Sequence, residues 1–313
     1  MKDTEIIFPH IDEAERIRRL EPPKGKINMV LDTDTYNEVD DQFALAYTLC
    51  SSEKINLEAV YAAPFYNDRS SSPAEGMEKS YNEILNVFSL LGKSSDGMVY
   101  RGSTEFMKNP YTPCRSEAAQ NLVQRVRAMK DDDEPLYVVA IGAITNVASA
   151  ILLDPEIIRK IVVIWLGGHA YFWPHTKEFN LWEDIYAANV VFGCGVPLVQ
   201  IPCMGVTSHL RTTIPELEFY LKGKSEVGTY LTRIVTNYTK SPYGWSKPIW
   251  DVAAIAWLVN SDWVHTGYVH SPIVTVEGTY SFSTKRHLIR CAWYLDRDPI
   301  FADMFRKLSC INV

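Results

Sequence analysis

The stretch Asn28–Tyr47, NMVLDTDTYNEVDDQFALAY, decides how the chain is read. The run Ile27–Leu31 is short, apolar and rich in branched residues, as a central parallel strand requires. Phe43, Ala44, Ala46 and Tyr47 then begin an apolar helical face. Asp32, Asp34, Asp40 and Asp41 therefore fall at the carboxyl end of a strand, where open α/β sheets bind ligands. Carboxylates crowded in this way repel one another unless a cation, protonation or dense hydrogen bonding compensates them. A hard divalent metal is the simplest compensation. The competing reading makes Asp40 and Asp41 helix-capping acids and Asp32 an Asx-turn residue, but capping needs one or two acids and not four.

Outward from this segment, apolar runs alternate with helical patterns. Strand-like runs cover 57–63, 136–141, 161–166 and 197–201, and helical patterns cover 73–91, 146–153 and 183–192. Such alternation predicts an α/β fold with a mainly parallel, Rossmann-like sheet flanked by helices. The punctuation at Pro22, Pro23 and Gly25 separates a short charged N-terminal helix from the first strand, giving an extension over 1–26 and one large domain over 27–313. A second independent domain is disfavoured, because it would split candidate site residues that run from Asp34 to Asp251.

The chain has 313 residues, of which 47% are hydrophobic and 22% charged, a globular composition able to bury a large core. A net charge of -7, with lysines and arginines scattered along the sequence, argues against nucleic acid or an anionic membrane as partner. The first 26 residues hold no apolar core of signal-peptide length, so a cytoplasmic location is expected. Cys50, Cys114, Cys194, Cys203, Cys291 and Cys310 are widely spaced without a Cys-x-x-Cys pair and read as reduced core residues.

Three later segments also look like loops at strand ends. In VVAIGAITNVA the strand through Ile141 stops at Gly142, Thr145 is the expected helix N-cap, and a strand-end carbonyl is free to meet a cation. In WLGGHAYFWPHTKEFNLWED the strand ends at Gly167-Gly168 and the loop carries His169, His175, Glu178 and Asn180. In KPIWDVAAIAWLV, Trp250-Asp251 opens an apolar helix.

Taken in order, Asp32-Thr33-Asp34 with Asp40-Asp41, Gly142-Ala143-Ile144-Thr145-Asn146, Glu178-Phe179-Asn180 and Asp251 resemble the motifs of the inosine–uridine-preferring nucleoside hydrolases. The resemblance runs from about Ile27 to the C-terminus. It implies a ribonucleoside N-glycosidase with a calcium ion (Ca2+) held by Asp34, Asp41, Asp251 and the Ile141 carbonyl. It further implies Asp34 as general base, with Asp40, Asn180 and Asn67 toward the ribose hydroxyls and Glu178 near the 5′-hydroxyl. A small-molecule ribonucleoside and a homo-oligomer, dimer or tetramer, are the expected partners.

The match departs from the family in three places, one of them Phe172-Trp173-Pro174 before Glu178, where many members carry an asparagine for the sugar. The loop Thr35–Val39 is two residues longer than usual and lacks a glycine, which leaves Asp40, Glu38 and Asn37 all open as ribose contacts. Trp250 stands where inosine–uridine-preferring members carry a histidine, and Trp-Asp resembles the purine-specific branch. With Trp173 in the aromatic stretch Tyr171–Trp173, this predicts an aromatic-walled base pocket, His169 and His175 being alternative acids. A haloacid-dehalogenase-type phosphatase also starts with Asp-x-Asp, but Tyr36 occupies the position where it wants Thr or Val, and Glu178-Phe179-Asn180 has no role in that chemistry. A binding protein that has kept the pocket and lost turnover is the remaining alternative.

Overall fold

The computed structural model describes residues 6–309. The helices are α1 (Glu13–Leu20), α2 (Asp41–Leu49), α3 (Pro73–Leu90), α4 (Glu117–Ala128), α5 (Thr145–Leu153), α6 (Phe179–Glu183), α7 (Ile185–Gly193), α8 (Ile214–Tyr220), α9 (Glu226–Tyr238), α10 (Val252–Val259) and α11 (Arg297–Ser309). The strands are β1 (Ile27–Thr33), β2 (Ile55–Ala62), β3 (Val99–Arg101), β4 (Leu136–Ala140), β5 (Ile161–Leu166), β6 (Leu198–Ile201), β7 (Arg211–Thr212), β8 (Lys247–Pro248), β9 (Val264–His270), β10 (Ile273–Val274), β11 (Tyr280–Ser281) and β12 (Leu288–Leu295).

An eight-stranded sheet in the order β3-β2-β1-β4-β5-β6-β12-β9 forms the centre, and only β9 runs antiparallel to its neighbour. The expected α/β architecture is therefore present, with an antiparallel edge that the βαβ alternation did not suggest. Alternate residues of β1 feed two cores: Met29 and Leu31 pack on one face of the sheet, Val30 on the other. Helices cover both faces, which is why β1, β4 and β5 read as continuous apolar runs. Among the described residues, no helix is long and apolar enough to cross a membrane.

Three local expectations are corrected. Strand β1 extends through Asp32 and Thr33, whose carbonyls accept from Ile141 N and Ala63 N at 2.8 Å each, so Asp32 lies within the strand. Thr145 does not cap α5; Ile144 holds that position, and the Thr145 hydroxyl donates to Asp184 Oδ2 at 2.7 Å. The segment 183–192 is not one helix, because Asp184 breaks it and caps α7 by accepting from Ala187 N at 2.9 Å. Cys194, Cys203 and Cys291 are buried, Cys50 and Cys114 half-buried, all five free, and Cys310 lies outside the described residues.

Candidate active site

At the carboxyl ends of β1, β4 and β5 a crevice of about 250 Å³ opens. Asp34, Asp40, Asp41, Asn67, Ile141, Glu178, Asn180, Trp250 and Asp251 line it, whereas Trp173 does not. Trp173 instead packs edge-on against His169, ring centroids 6.2 Å apart. The loop departures matter here, since Asn37 and Glu38 reach the same crevice.

Asp34 follows β1 directly and lies against the turn after β4. A Cβ on Gly142 would come within 3.0 Å of Asp34 Cγ, so glycine there is what allows the approach. Both Asp34 oxygens are buried and accept no hydrogen bond. Asp40 and Asp251 occupy the cap positions of α2 and α10, yet neither side chain caps its helix. The capping alternative thus does not account for these acids. Asp40 Oδ2 accepts from Trp250 N at 3.1 Å, and Asp41 Oδ1 accepts from the Thr33 hydroxyl at 2.6 Å.

Asp40, Asp41 and Asp251 each present an oxygen, all within 4.8 Å of one another, so among the described residues it is Asp40 and not Asp34 that completes this acidic group. Burial pushes the Asp41 carboxyl up to about 7, and the charge on Asp40 adds to the rise. Asp34 and Asp251 are held well above the usual carboxylate range, first by burial and then by the neighbouring Asp41. Orphaned buried carboxylate oxygens in an all-oxygen setting fit a hard divalent cation, which would relieve both burial and repulsion.

The second motif locks the first in place. Asn146 Nδ2 donates to Asp32 Oδ1 at 2.8 Å, and Asn146 Oδ1 accepts from Ser103 N at 2.8 Å. Asp32 is thereby a buried structural acid, its carboxyl raised to about 7 by burial. Asn180 Nδ2 bridges the strand ends, donating to Ile141 O at 3.2 Å and Leu166 O at 3.0 Å. Glu178 caps α6: its carboxylate accepts from Asn180 N and Leu181 N at 3.0 Å each and from Gly168 N at 2.8 Å. Three backbone donors hold it rigidly at the crevice wall.

Asn67 Nδ2 donates to Asn37 Oδ1 at 2.6 Å, and Arg69 donates to the Glu38 carbonyl at 2.7 Å, so the longer first loop is anchored from the segment after β2. His169 lines the crevice, and burial, with His175 beside it, lowers its pKa to about 4. Its Nδ1 accepts from Met204 N at 3.2 Å, which puts the ring proton of the neutral imidazole on Nε2. His175 is exposed and lies off the crevice.

Lys247 was not anticipated. Its side chain is 5% exposed, it pairs with Glu38, and its Nζ lies 3.4 Å from Asp40 Oδ1. A lone cation four residues before Asp251 in an otherwise apolar run was the available signal. Glu183 was missed too; its Oε1 accepts from Tyr66 N at 2.6 Å, and burial raises its carboxyl to about 8.

Comparison with known proteins adds three kinds of likeness. The model of the family described as inosine-uridine preferring nucleoside hydrolase matches residues 29–298. The pyrimidine-specific ribonucleoside hydrolase RihA of Enterobacter sp. (strain 638) is 25% identical over 260 residues, 75% of this chain and 79% of that protein. Among solved structures, a purine-preferring ribonucleoside hydrolase from Gardnerella vaginalis superposes with a TM-score of 0.74 at 21% identity, covering 91% of this chain and 98% of that one. The plant nucleoside hydrolase PpNRh1 gives 0.72 at 18% identity, covering 91% and 99%.

Proposed function

The chain belongs to the inosine-uridine preferring nucleoside hydrolase family and is a ribonucleoside hydrolase, and from that premise we propose that it acts on purine ribonucleosides with calcium as its cation. The observation that carries the reading is the Asp34 carboxylate, buried in the crevice with both oxygens free of donors. Asp34, Asp41 and Asp251, with the Ile141 carbonyl, would supply an oxygen-only donor set suited to calcium; all four line the crevice, where Asp41 and Asp251 bring oxygens within 4.8 Å of one another and of Asp40. When bound, the cation supplies charge that orients the sugar hydroxyls and acidifies water beside it.

Asp34 takes a proton from the attacking water as the new C–O bond forms at the anomeric carbon and the C–N bond breaks. The ring passes through an oxocarbenium-like state, and the surrounding carboxylates stabilise the positive charge that develops there. Asp40, held by Trp250 N and Lys247, is oriented to accept from a ribose hydroxyl. Glu178 and Asn180 wall the sugar, with Asn37, Glu38 and Asn67 at its rim.

The leaving base needs a proton or an equivalent. His169, with its pKa near 4, is neutral at pH 7 and offers a hydrogen bond rather than a charge. Trp250 and Phe179 supply flat apolar area in the same crevice, and this favours the larger purine ring. RihA is named for pyrimidines and the Gardnerella enzyme for purines, so the base preference is the point to test. Inosine, adenosine, guanosine, uridine and cytidine incubated with protein and calcium, with released base measured by chromatography, should show faster purine release that a chelator abolishes. Faster uridine or cytidine cleavage would overturn the purine assignment; saturable binding without released base would identify a binding protein.

A further inference from the structure

At the other end of the sheet lies a second cleft, of about 660 Å³, where the α7–β6 connection, the end of β9, the turn before β12 and the segment before α1 meet. Because β6 and β12 run parallel to β1, these elements sit opposite the acidic crevice. The cleft is lined by Arg16, His270, Lys285, Arg286 and His287, with Glu13 as its acid. In a chain of net charge -7 whose basic residues are scattered in sequence, this is a local concentration of cations made by folding.

The one carboxylate is already committed. Glu13 Oε2 accepts from Arg16 Nε at 3.1 Å, and Oε1 accepts from Leu288 N at 3.0 Å. The remaining Arg16 donors go to the Gly195 and Ile11 carbonyls. Arg286 donates to the Phe192 carbonyl, but its Nε is buried without a partner, and so is His287 Nε2. Among the described residues neither Lys285 nor Arg286 makes an ion pair, while the other buried or half-buried arginines beside carboxylates, such as Arg297 with Glu216 and Arg125 with Glu58, are paired. A buried orphan donor on a cationic side chain, here Arg286 Nε, is costly unless an anion accepts from it.

We propose that this cleft is a second ligand site, built for a phosphate-bearing anion. Arg286 presents a planar fork that matches phosphate oxygens, Lys285 adds an exposed point charge, and His287 Nε2 is a further polar contact. The volume falls within the roughly 300–1,000 Å³ of small-molecule sites and exceeds what inorganic phosphate needs. Phe8, Pro9 and Ile11 form an apolar wall on which the organic part of a phosphate ester would rest. The site shares no residue with the crevice, so the proposal does not depend on the substrate assigned there.

The test is calorimetric titration of the whole protein, dialysed free of excess cation, with inorganic phosphate, ribose 5-phosphate and a purine nucleoside 5′-monophosphate. Saturable binding of at least one probe is expected, weakened tenfold or more by Arg286→Gln and by Lys285→Glu, and retained in Asp41→Ala. Nucleoside turnover without the anion should be unchanged in the first two variants. Lys285 is exposed, so Lys285→Glu reads the site even if Arg286→Gln perturbs folding. An ester bound more tightly than inorganic phosphate identifies a phosphorylated metabolite as the source, and equal affinities identify free phosphate. No binding of any probe at millimolar concentration, or binding that both basic-site variants leave intact, overturns the proposal.

Discussion

The two ends of the sheet carry opposite charge and treat it differently. At the carboxyl ends Asp34, Asp40, Asp41 and Asp251 are almost wholly buried, and Lys247 lies 3.4 Å from Asp40. At the amino ends Arg286, His270 and His287 are half-buried and Lys285 is exposed, while the buried Arg16 is paired with Glu13, so water screens much of the repulsion among them. Elsewhere charge is neutralised in pairs: Arg297 NH2 meets both Glu216 oxygens at 2.6 and 2.7 Å and does no more than join α11 to α8. Charge left unpaired by the fold marks a place for a ligand of opposite sign, and the depth of burial sets how strongly the empty site resists being charged.

The largest effect should come from the floor of the acidic end. Asp34→Asn keeps the shape of the side chain while removing the carboxylate proposed to accept the proton of water. Turnover should fall by about 10³-fold, in the range that a general base contributes. Calcium affinity measured on the same variant separates loss of the base from loss of the ion. Near wild-type turnover with the ion bound would leave the acidic end with a purely electrostatic role.

Lys247 tests how much of the acidic charge is neutralised from within. Lys247→Met strips the buried Asp40 of its cation and should destabilise the metal-free protein by about 3 kcal/mol. Added calcium should recover part of that loss, because the ion shares the charge of the same cluster. Thermal unfolding with and without calcium checks this, and an equal loss in both conditions would mean that Lys247 only packs.

What the chain discloses before folding follows the same division. The β1 run, the Asp-x-Asp step and the glycine turn after β4 are local patterns, and they were legible because apolar periodicity and strand-end chemistry lie within a few residues of one another. Lys247 stands on a two-residue strand paired with β7 and reaches Asp40 across 207 positions, so its local pattern, a lone cation in an apolar run, does not say which acid it meets. The Thr145 hydroxyl fits an N-cap on sequence grounds but finds Asp184, 39 positions away, once α7 is in place. The edge strand β9, VHTGYVH, is mostly half-buried and polar, and it becomes a strand by pairing with β12. The basic cleft likewise exists only after Arg16 and His270 join Lys285 and Arg286.

His287 probes the basic end through pH. Burial, reinforced by the charges of Arg16, Arg286 and His270, pushes its pKa down to about 3. An unfolded histidine titrates near 6.5, so between about 6.5 and 3 the unfolded chain binds the extra proton and the folded chain does not. This group therefore contributes its full stability above pH 6.5 and loses it as pH falls, by up to about 1.4 kcal/mol per pH unit and about 2 kcal/mol at pH 5. His287→Asn should flatten that part of the stability–pH curve measured by denaturant unfolding. An unchanged slope would place the acid sensitivity elsewhere.

The smallest effect concerns a neutral wall of the acidic end. Trp250 lines the crevice, and its contact with Asp40 is made by the backbone N–H, so Trp250→Ala removes the indole while leaving that hydrogen bond available. An aromatic stack contributes about 0.5 to 1.5 kcal/mol beyond area burial, which limits its direct effect to roughly tenfold. If the indole also helps a purine leave, Trp250→Ala should lower turnover of purine nucleosides by up to about tenfold while affecting nitrophenyl riboside less, since that leaving group needs no proton. Trp250→Phe should recover part of the purine rate. Equal losses on both substrates would show that the ring shapes the crevice without assisting departure, and would leave the neutral His169 as the group to vary next.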